Sequence, residues 1–308
     1  LLIRRGATTW QADAKGRDAL AWARSGSAPD REDIIHLLDR PVIDDPIFAA
    51  AVKAVRAGDV VGLAALLDRH PDLLKQRARE PDCYAQDYFR DPRLFWFVAF
   101  NPIPPLPPPR NIVAVTEAMI ARGVEQADLD YTIGLVMTGS RLREQKLQTP
   151  MIVALLNAGA QAGGMVMVLG HKERDAVEVI LKSGHPMSVV IAAGTGRAKE
   201  LADLLPGASP HDVHGAFSVA VINGEVECAR LCLEAGAPIN ARLLAHRHST
   251  AAHQAAINDD VPMLKLLVER GADLSVQDTA WNGTPLGWAR HEKRKKAQAY
   301  LEDVLGRR

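Results

Sequence analysis

Long apolar runs are missing from this chain of 308 residues, although 47% of it is apolar. Nothing approaches the ~20 consecutive residues that a membrane-spanning helix needs, so no membrane partner is expected. An excess of either charge is missing as well, with 37 Lys and Arg against 37 Asp and Glu. That balance excludes the broad electrostatic attraction behind nucleic-acid and anionic-membrane binding, and no nucleic acid is expected as a partner. Cysteine is scarce. Cys83, Cys228 and Cys232 supply no disulfide framework. Two of them, four residues apart on a predicted helix, lie beyond easy bridging, which favours reduced thiols and a cytoplasmic location. Gly-x-Ser-x-Gly, Walker and His-Glu-x-x-His signatures are all lacking. No catalytic residue and no cofactor is therefore expected.

What the chain does contain is a repeat. Near its end stand Ser249-Thr-Ala-Ala-His253-Gln-Ala-Ala256 and then Leu264-Lys-Leu-Leu-Val268-Glu-Arg-Gly271-Ala-Asp273. The next unit follows with Asn282-Gly-Thr-Pro-Leu286-Gly-Trp-Ala289. A short helix pair recurring at a fixed period is the mark of a solenoid, in which each unit buries its core against its neighbours. These segments resemble the ankyrin repeat, whose signature is Thr-Pro-Leu-His-x-Ala at a period of about 33 residues. The resemblance implies an all-α solenoid of helix-turn-helix units carrying short hairpin fingers.

Second helices of such units tend to end at a glycine that relieves a left-handed turn, here Gly6, Gly123, Gly159, Gly184, Gly207, Gly236 and Gly271. Two further pairs fit over 18–38 and 48–67, with Ala57-Gly58-Asp59 as an interhelix turn. The expected organisation is one solenoid over 1–308, with about eight full units and an N-terminal fragment. The opening Leu1-Leu-Ile-Arg-Arg-Gly6-Ala7 reads as the end of a repeat that begins earlier. From Gly123 onward the glycines are 36, 25, 23, 29 and 35 residues apart. A unit of 23–25 residues holds two helices and a turn but no finger. The units ending near Gly184 and Gly207 should thus be fingerless, a pattern similar to a divergent bacterial group of ankyrin proteins. The long departure is 76–110, where aromatic and Pro-rich loops are inserted. Pro102-Ile-Pro-Pro-Leu-Pro-Pro-Pro109 reads as polyproline II or an ordered loop between the helices Leu94–Phe100 and Ile112–Ile120.

Two places are candidates for a site. Seven of the fifteen aromatic residues crowd into 84–100 among polar neighbours. Asp82, Tyr84, Asp87, Tyr88, Arg90 and Trp96 would line a small-molecule pocket there, unless the cluster is simply a buried helix with a loop pinned on it. The second place is the predicted fingers, where Arg242, His246, Arg247 and His248 form a basic, titratable patch. Trp281 and Asn282 sit at a finger tip beside the Asn-Gly turn. The histidines His211, His214, His246, His248 and His253 match no zinc spacing, and no metal is expected. His253 falls on the histidine of the signature, which the resemblance makes structural, its ring bonding backbone to brace the fingers. Trp22 and Trp288 share one repeat position and are expected to pack between repeats or to lie on the concave face, with no chemistry of their own.

The resemblance implies a recognition module that binds a partner protein through its concave face and finger tips. The alternative is a small-molecule binder or enzyme with its pocket at 82–110. Shape separates the two, since a closed aromatic-walled cavity favours the pocket and an open groove the module.

Overall fold

The computed structural model describes residues 13, 15, 17–38, 43, 45–78, 87–101 and 107–307. The chain divides into two compact units, Leu1–Gly163 and Gly164–Arg308. Among the described residues the fold is all-α; pairing of the β type is limited to two isolated bridges, Arg77 with Arg93 and Arg242 with Thr250. No helix among them is long and apolar enough to cross a membrane.

In the first unit the helices come as α1 (Ala19–Ser25) and α2 (Arg31–Leu38), then α3 (Pro46–Ala57) and α4 (Val60–Arg69). They continue with a 3₁₀ helix Leu94–Ala99 and α5 (Ile112–Ile120), then α6 (Gln126–Thr138), α7 (Ser140–Glu144) and α8 (Gln148–Asn157). Local sequence sets these starts. The Asp45 carboxylate accepts from the Ile47 and Phe48 N–H groups and Pro46 opens α3, a first position where proline costs no helical bond. Gly58 ends α3 at φ 70°, and a Cβ there would stand 2.2 Å from Asn111 Oδ1, whose amide Nδ2 donates to the Gly58 carbonyl at 2.8 Å. One row packs α3 on the 3₁₀ helix and that on α6; a second packs α4 on α5 and α5 on α8. Phe48, Val55, Leu63, Phe95, Ile112, Met119 and Ile133 lie between the rows, fully or almost fully buried.

The helix expected at 94–100 is present as a 3₁₀ helix over Leu94–Ala99. All six of its residues are buried, so no solvent face remains for an amphipathic helix; no side chain caps its start, and Phe100 stops it at φ 49°. Trp288 is buried, whereas Trp22 is 51% exposed under the Arg17 guanidinium, 3.8 Å from its ring, on a helix with no buried residue.

The second unit holds α9 (Met165–Gly170), α10 (Arg174–Lys182), α11 (Val189–Gly194), α12 (Ala198–Leu204), α13 (Pro210–Asn223), α14 (Val226–Glu234), α15 (Ala251–Ile257), α16 (Val261–Glu269), α17 (Pro285–His291) and α18 (Lys295–Gly306). First helices of successive pairs pack together, α11 on α13, α13 on α15 and α15 on α17, and α9 packs on both α11 and α13. Asparagines tie the row at its far end: Asn223 Nδ2 donates to the Leu169 carbonyl at 2.8 Å and Asn258 Nδ2 to the Ile222 carbonyl at 3.0 Å. Gly123 and Gly159 in the first unit, and Gly184, Gly236 and Gly271 in the second, follow their helices with φ between 86° and 93°. Gly207 is an exception to the expected pattern. It closes a 3₁₀ turn, Leu205–Gly207, led by Pro206, and carries no positive φ. Connections differ sharply in length. Segments 183–188 and 205–209 join pairs directly, while 235–250 and 270–284 make two long fingers.

Candidate functional site

The two fingers of the second unit are built as one body. In the first, the Leu243 N–H donates to the Ser249 carbonyl at 3.0 Å and the Ser249 N–H to the His246 carbonyl at 2.9 Å. His246 takes φ 55°, turning the tip. Its Nε2 meets the Gly170 carbonyl at 3.1 Å, a contact between residues 76 apart in sequence. Gly170 is needed for that approach, since a Cβ there would stand 2.6 Å from the Cβ of Ala245. Arg242 joins the fingers: Nη1 donates to the His248 carbonyl at 2.6 Å and Nη2 to the Gln277 carbonyl at 3.0 Å. The Thr279 N–H adds a bond to the His248 carbonyl.

The second finger is organised by Asp278. One carboxylate oxygen accepts from the N–H groups of Ala280 and Trp281, at 2.8 and 2.7 Å. The other accepts from the Gly283 N–H at 2.7 Å and the Trp288 Nε1 at 2.9 Å. Burial pushes this carboxyl up, but those four donors outweigh it and hold it well below the usual carboxylate range. Trp281, whose backbone is fixed in this way, is 73% exposed. Asn282 beside it is exposed at φ 56°.

A chain of rings runs along the fingers. His171 meets His246 at a centroid distance of 6.4 Å, His246 meets His248 at 6.0 Å, and His248 meets Trp281 at 5.5 Å and Trp288 at 5.7 Å. His253 lies behind, 5.0 Å from Trp288. Its Nδ1 receives the Thr250 N–H at 3.3 Å and faces Thr250 Oγ1 at 2.8 Å, so Nε2 carries the proton and donates to the Gly283 carbonyl at 2.9 Å. The backbone-bracing role that the resemblance implies for His253 is thus what its ring performs. Burial lowers the pKa of His253; burial, His246 and Arg242 lower that of His248. Both shifts favour the neutral ring.

The structure thus brings Arg242, His246, His248 and Trp281 together, with Arg247 exposed beside them, its Nε 3.4 Å from the Leu244 carbonyl. His246 finds its ring neighbours in His171 and His248; His214, on α13, is lowered in pKa by burial and by His211. No group of three or more metal-ligating side chains is set to hold an ion among the described residues. Asp278, His171 and Lys172 were not singled out from sequence. For Asp278 a signal was available, an Asp opening a turn that ends in Asn-Gly. For His171 there was none, because only the folded finger brings it to His246.

Between the short connections lies a shallow depression of about 420 Å³, lined by Met165, Val166, Met167, Val189, Val190 and Asp212 at the starts of α9, α11 and α13.

In the first unit, Asp82 and Tyr84 lie outside the described residues, and Asp87 opens a short 3₁₀ turn, Asp87–Phe89. Tyr88 is exposed, with its hydroxyl 3.2 Å from Asn101 Oδ1 and its carbonyl accepting from the Tyr131 hydroxyl. Arg90 is exposed. Trp96 is buried under Tyr131, 4.2 Å between centroids, and against Phe89 at 6.0 Å; its Nε1 donates to Asp128 Oδ1 at 2.9 Å. Burial raises the Asp128 pKa, with the Trp96 bond and the Arg93 charge, at 3.8 Å, opposing it. Trp96 is thereby a core residue with its polar atom already bonded.

No curated protein matches the chain. The family model Ankyrin repeats (3 copies) matches residues 189–278, the stretch that runs from α11 through both helices of three successive pairs to Asp278, and over that stretch the chain is an ankyrin-repeat array.

Proposed function

We propose that the protein is a recognition module whose finger face, Arg242, His246, Arg247, His248, Trp281 and Asn282, binds a partner protein. One observation carries this reading. Trp281 stands 73% exposed on a finger tip whose backbone is already fixed by the inward-turned Asp278 carboxylate. A rigid, exposed tryptophan loses little entropy on burial, and tryptophan is enriched among the residues that dominate binding energy. Ankyrin repeats generally mediate protein–protein contacts, and the repeats matched here end at this finger. The helix pairs of both units are read as repeats of one kind, and the buried Cys228 and Cys232 thiols suit a reducing, cytoplasmic setting. The small-molecule reading at 82–110 gains nothing from Trp96, whose ring and indole N–H are both engaged in packing.

A photo-crosslinking residue at position 281 tests the reading in cell extract. Position 61, where Val61 is 80% exposed in the first unit, serves as control. Discrete protein adducts from 281 and none from 61 are expected. Identical adducts from both positions, or none from 281, would remove the finger face from the account.

A further inference from the structure

In a chain whose charges balance, it matters which of them are left without partners. Six arginines of the second unit are ion-paired: Arg174 with Glu225, Arg197 with Glu178, Arg230 with Glu227 and Glu234, Arg270 with Glu234, Arg290 with Glu302, and Arg307 with Asp303. Arg242, Arg247 and Arg294 make no ion pair among the described residues. Arg242 and Arg247 are held by neutral carbonyl oxygens, and the Arg294 Nε is buried without a hydrogen-bond partner. Lys172 repeats the pattern. Its Nζ donates to Asn258 Oδ1 at 2.9 Å, and burial together with the neighbouring Arg294 charge lowers its pKa. Asp278 does bring a negative charge to the fingers, but all of its contacts are inward N–H donors.

Of these cations, Arg242, Arg247 and Lys172 adjoin the ring chain. Lys172 follows His171 in sequence, and from His171 the contacts of 6.4, 6.0 and 5.5 Å lead through His246 and His248 to Trp281. Arg242 is bonded to the His248 carbonyl midway. That path is matched by about five residues of extended chain at roughly 3.3 Å each. A guanidinium held at one edge by carbonyl oxygens keeps its other N–H groups in a fixed orientation, and carboxylates fit that fork.

We propose that the finger face takes an extended acidic segment of a partner protein, with its carboxylates on Arg242, Arg247 and Lys172 and an apolar side chain against Trp281. This rests on the finger face being the recognition surface and adds the chemistry of what it recognises. Nucleic acid is the lesser candidate. The chain carries no net charge, and the cations here are few and spaced, whereas a phosphate backbone calls for a dense basic stripe.

The test uses the full chain and a phage-displayed library of random 12-residue peptides, selected at low salt and counter-screened on Trp281→Ala and Arg247→Glu. Arg247 is exposed and holds no element together, so its reversal leaves the fold intact, which circular dichroism checks. Binders that need Trp281, are rich in Asp and Glu, and lose at least tenfold in affinity on Arg247→Glu are expected. Their affinity should also fall as salt rises. Binders that need Trp281 but carry no acidic excess and ignore Arg247→Glu would overturn the acidic segment and leave the finger face standing. A library yielding no Trp281-dependent binder would overturn both. Displacement of the selected peptides by a 12-residue oligothymidylate at lower concentration than free peptide requires would transfer the surface to nucleic acid.

Discussion

Each unit contains a tryptophan whose Nε1 donates to an aspartate at 2.9 Å, Trp96 to Asp128 in the first and Trp288 to Asp278 in the second. Yet the two carboxyl groups shift in opposite directions. Asp128 receives one hydrogen bond, from the indole, and the charges of Arg93 and Arg77, which do not offset burial, so its pKa rises. Asp278 receives three backbone N–H groups besides, and its pKa falls despite burial. The difference is one of purpose. The first pair satisfies the polar atom of a core tryptophan; the second turns a loop into a rigid tip and presents a different tryptophan, Trp281, to solvent. A buried carboxylate is costly with one partner and stabilising with four.

The sharpest way to break the comparison is at the rings. Trp96→Ala removes a buried side chain packed on Tyr131 and Phe89, and should cost about 3–5 kcal/mol in urea unfolding of the full chain. A loss under ~1 kcal/mol would mean Trp96 is not core, and the pocket at 82–110 would regain support. Asp278→Ala should cost roughly 2–3 kcal/mol, since four donors lose one acceptor. Hydrogen exchange would localise that loss to 270–290, while Asp128→Asn, which keeps an acceptor for Trp96, should change little.

Acid sharpens the same contrast. His214, His248 and His253 are lowered below 6.5, so their contribution to stability is complete above pH 6.5 and is lost as pH falls through their folded values. Asp128 is raised above 3.8, so its contribution has the other sign, complete below pH 3.8 and lost as pH rises through its folded value. Lowering pH from 7.5 to 5.5 should therefore speed exchange in the second unit and not around Asp128. Equal acceleration in both would contradict these directions. The smallest effect is expected at Trp281→Ala, within about 0.5 kcal/mol, because most of its surface is already in water.

Local chemistry made much of the fold legible. Asp45-Pro46, Ser209-Pro210 and Thr284-Pro285 open helices, and each of these cap side chains accepts a backbone N–H from the first turn. The spacing of the glycines gave the short connections at 183–188 and 205–209, because a unit of that length has no residues left for a finger. The helix at 94–99 was legible but its 3₁₀ type was not, since six consecutive buried residues have no periodicity from which the helix type follows. The finger residues were legible as exposed, basic and aromatic side chains near turns. Their assembly was not.

Sequence alone, then, determined an all-α chain of paired helices with ankyrin-type repeats, and where its connections are too short for fingers, because turns and periodicity act over a few residues. Only the tertiary structure decided that His246 reaches back to Gly170 and His171, that Arg242 ties two fingers through carbonyl oxygens, and that Asp128 and Asp278 part in charge behaviour. Those outcomes depend on donors and neighbours from distant repeats, and hydrogen bonding and burial are properties of the packed neighbourhood rather than of the residue.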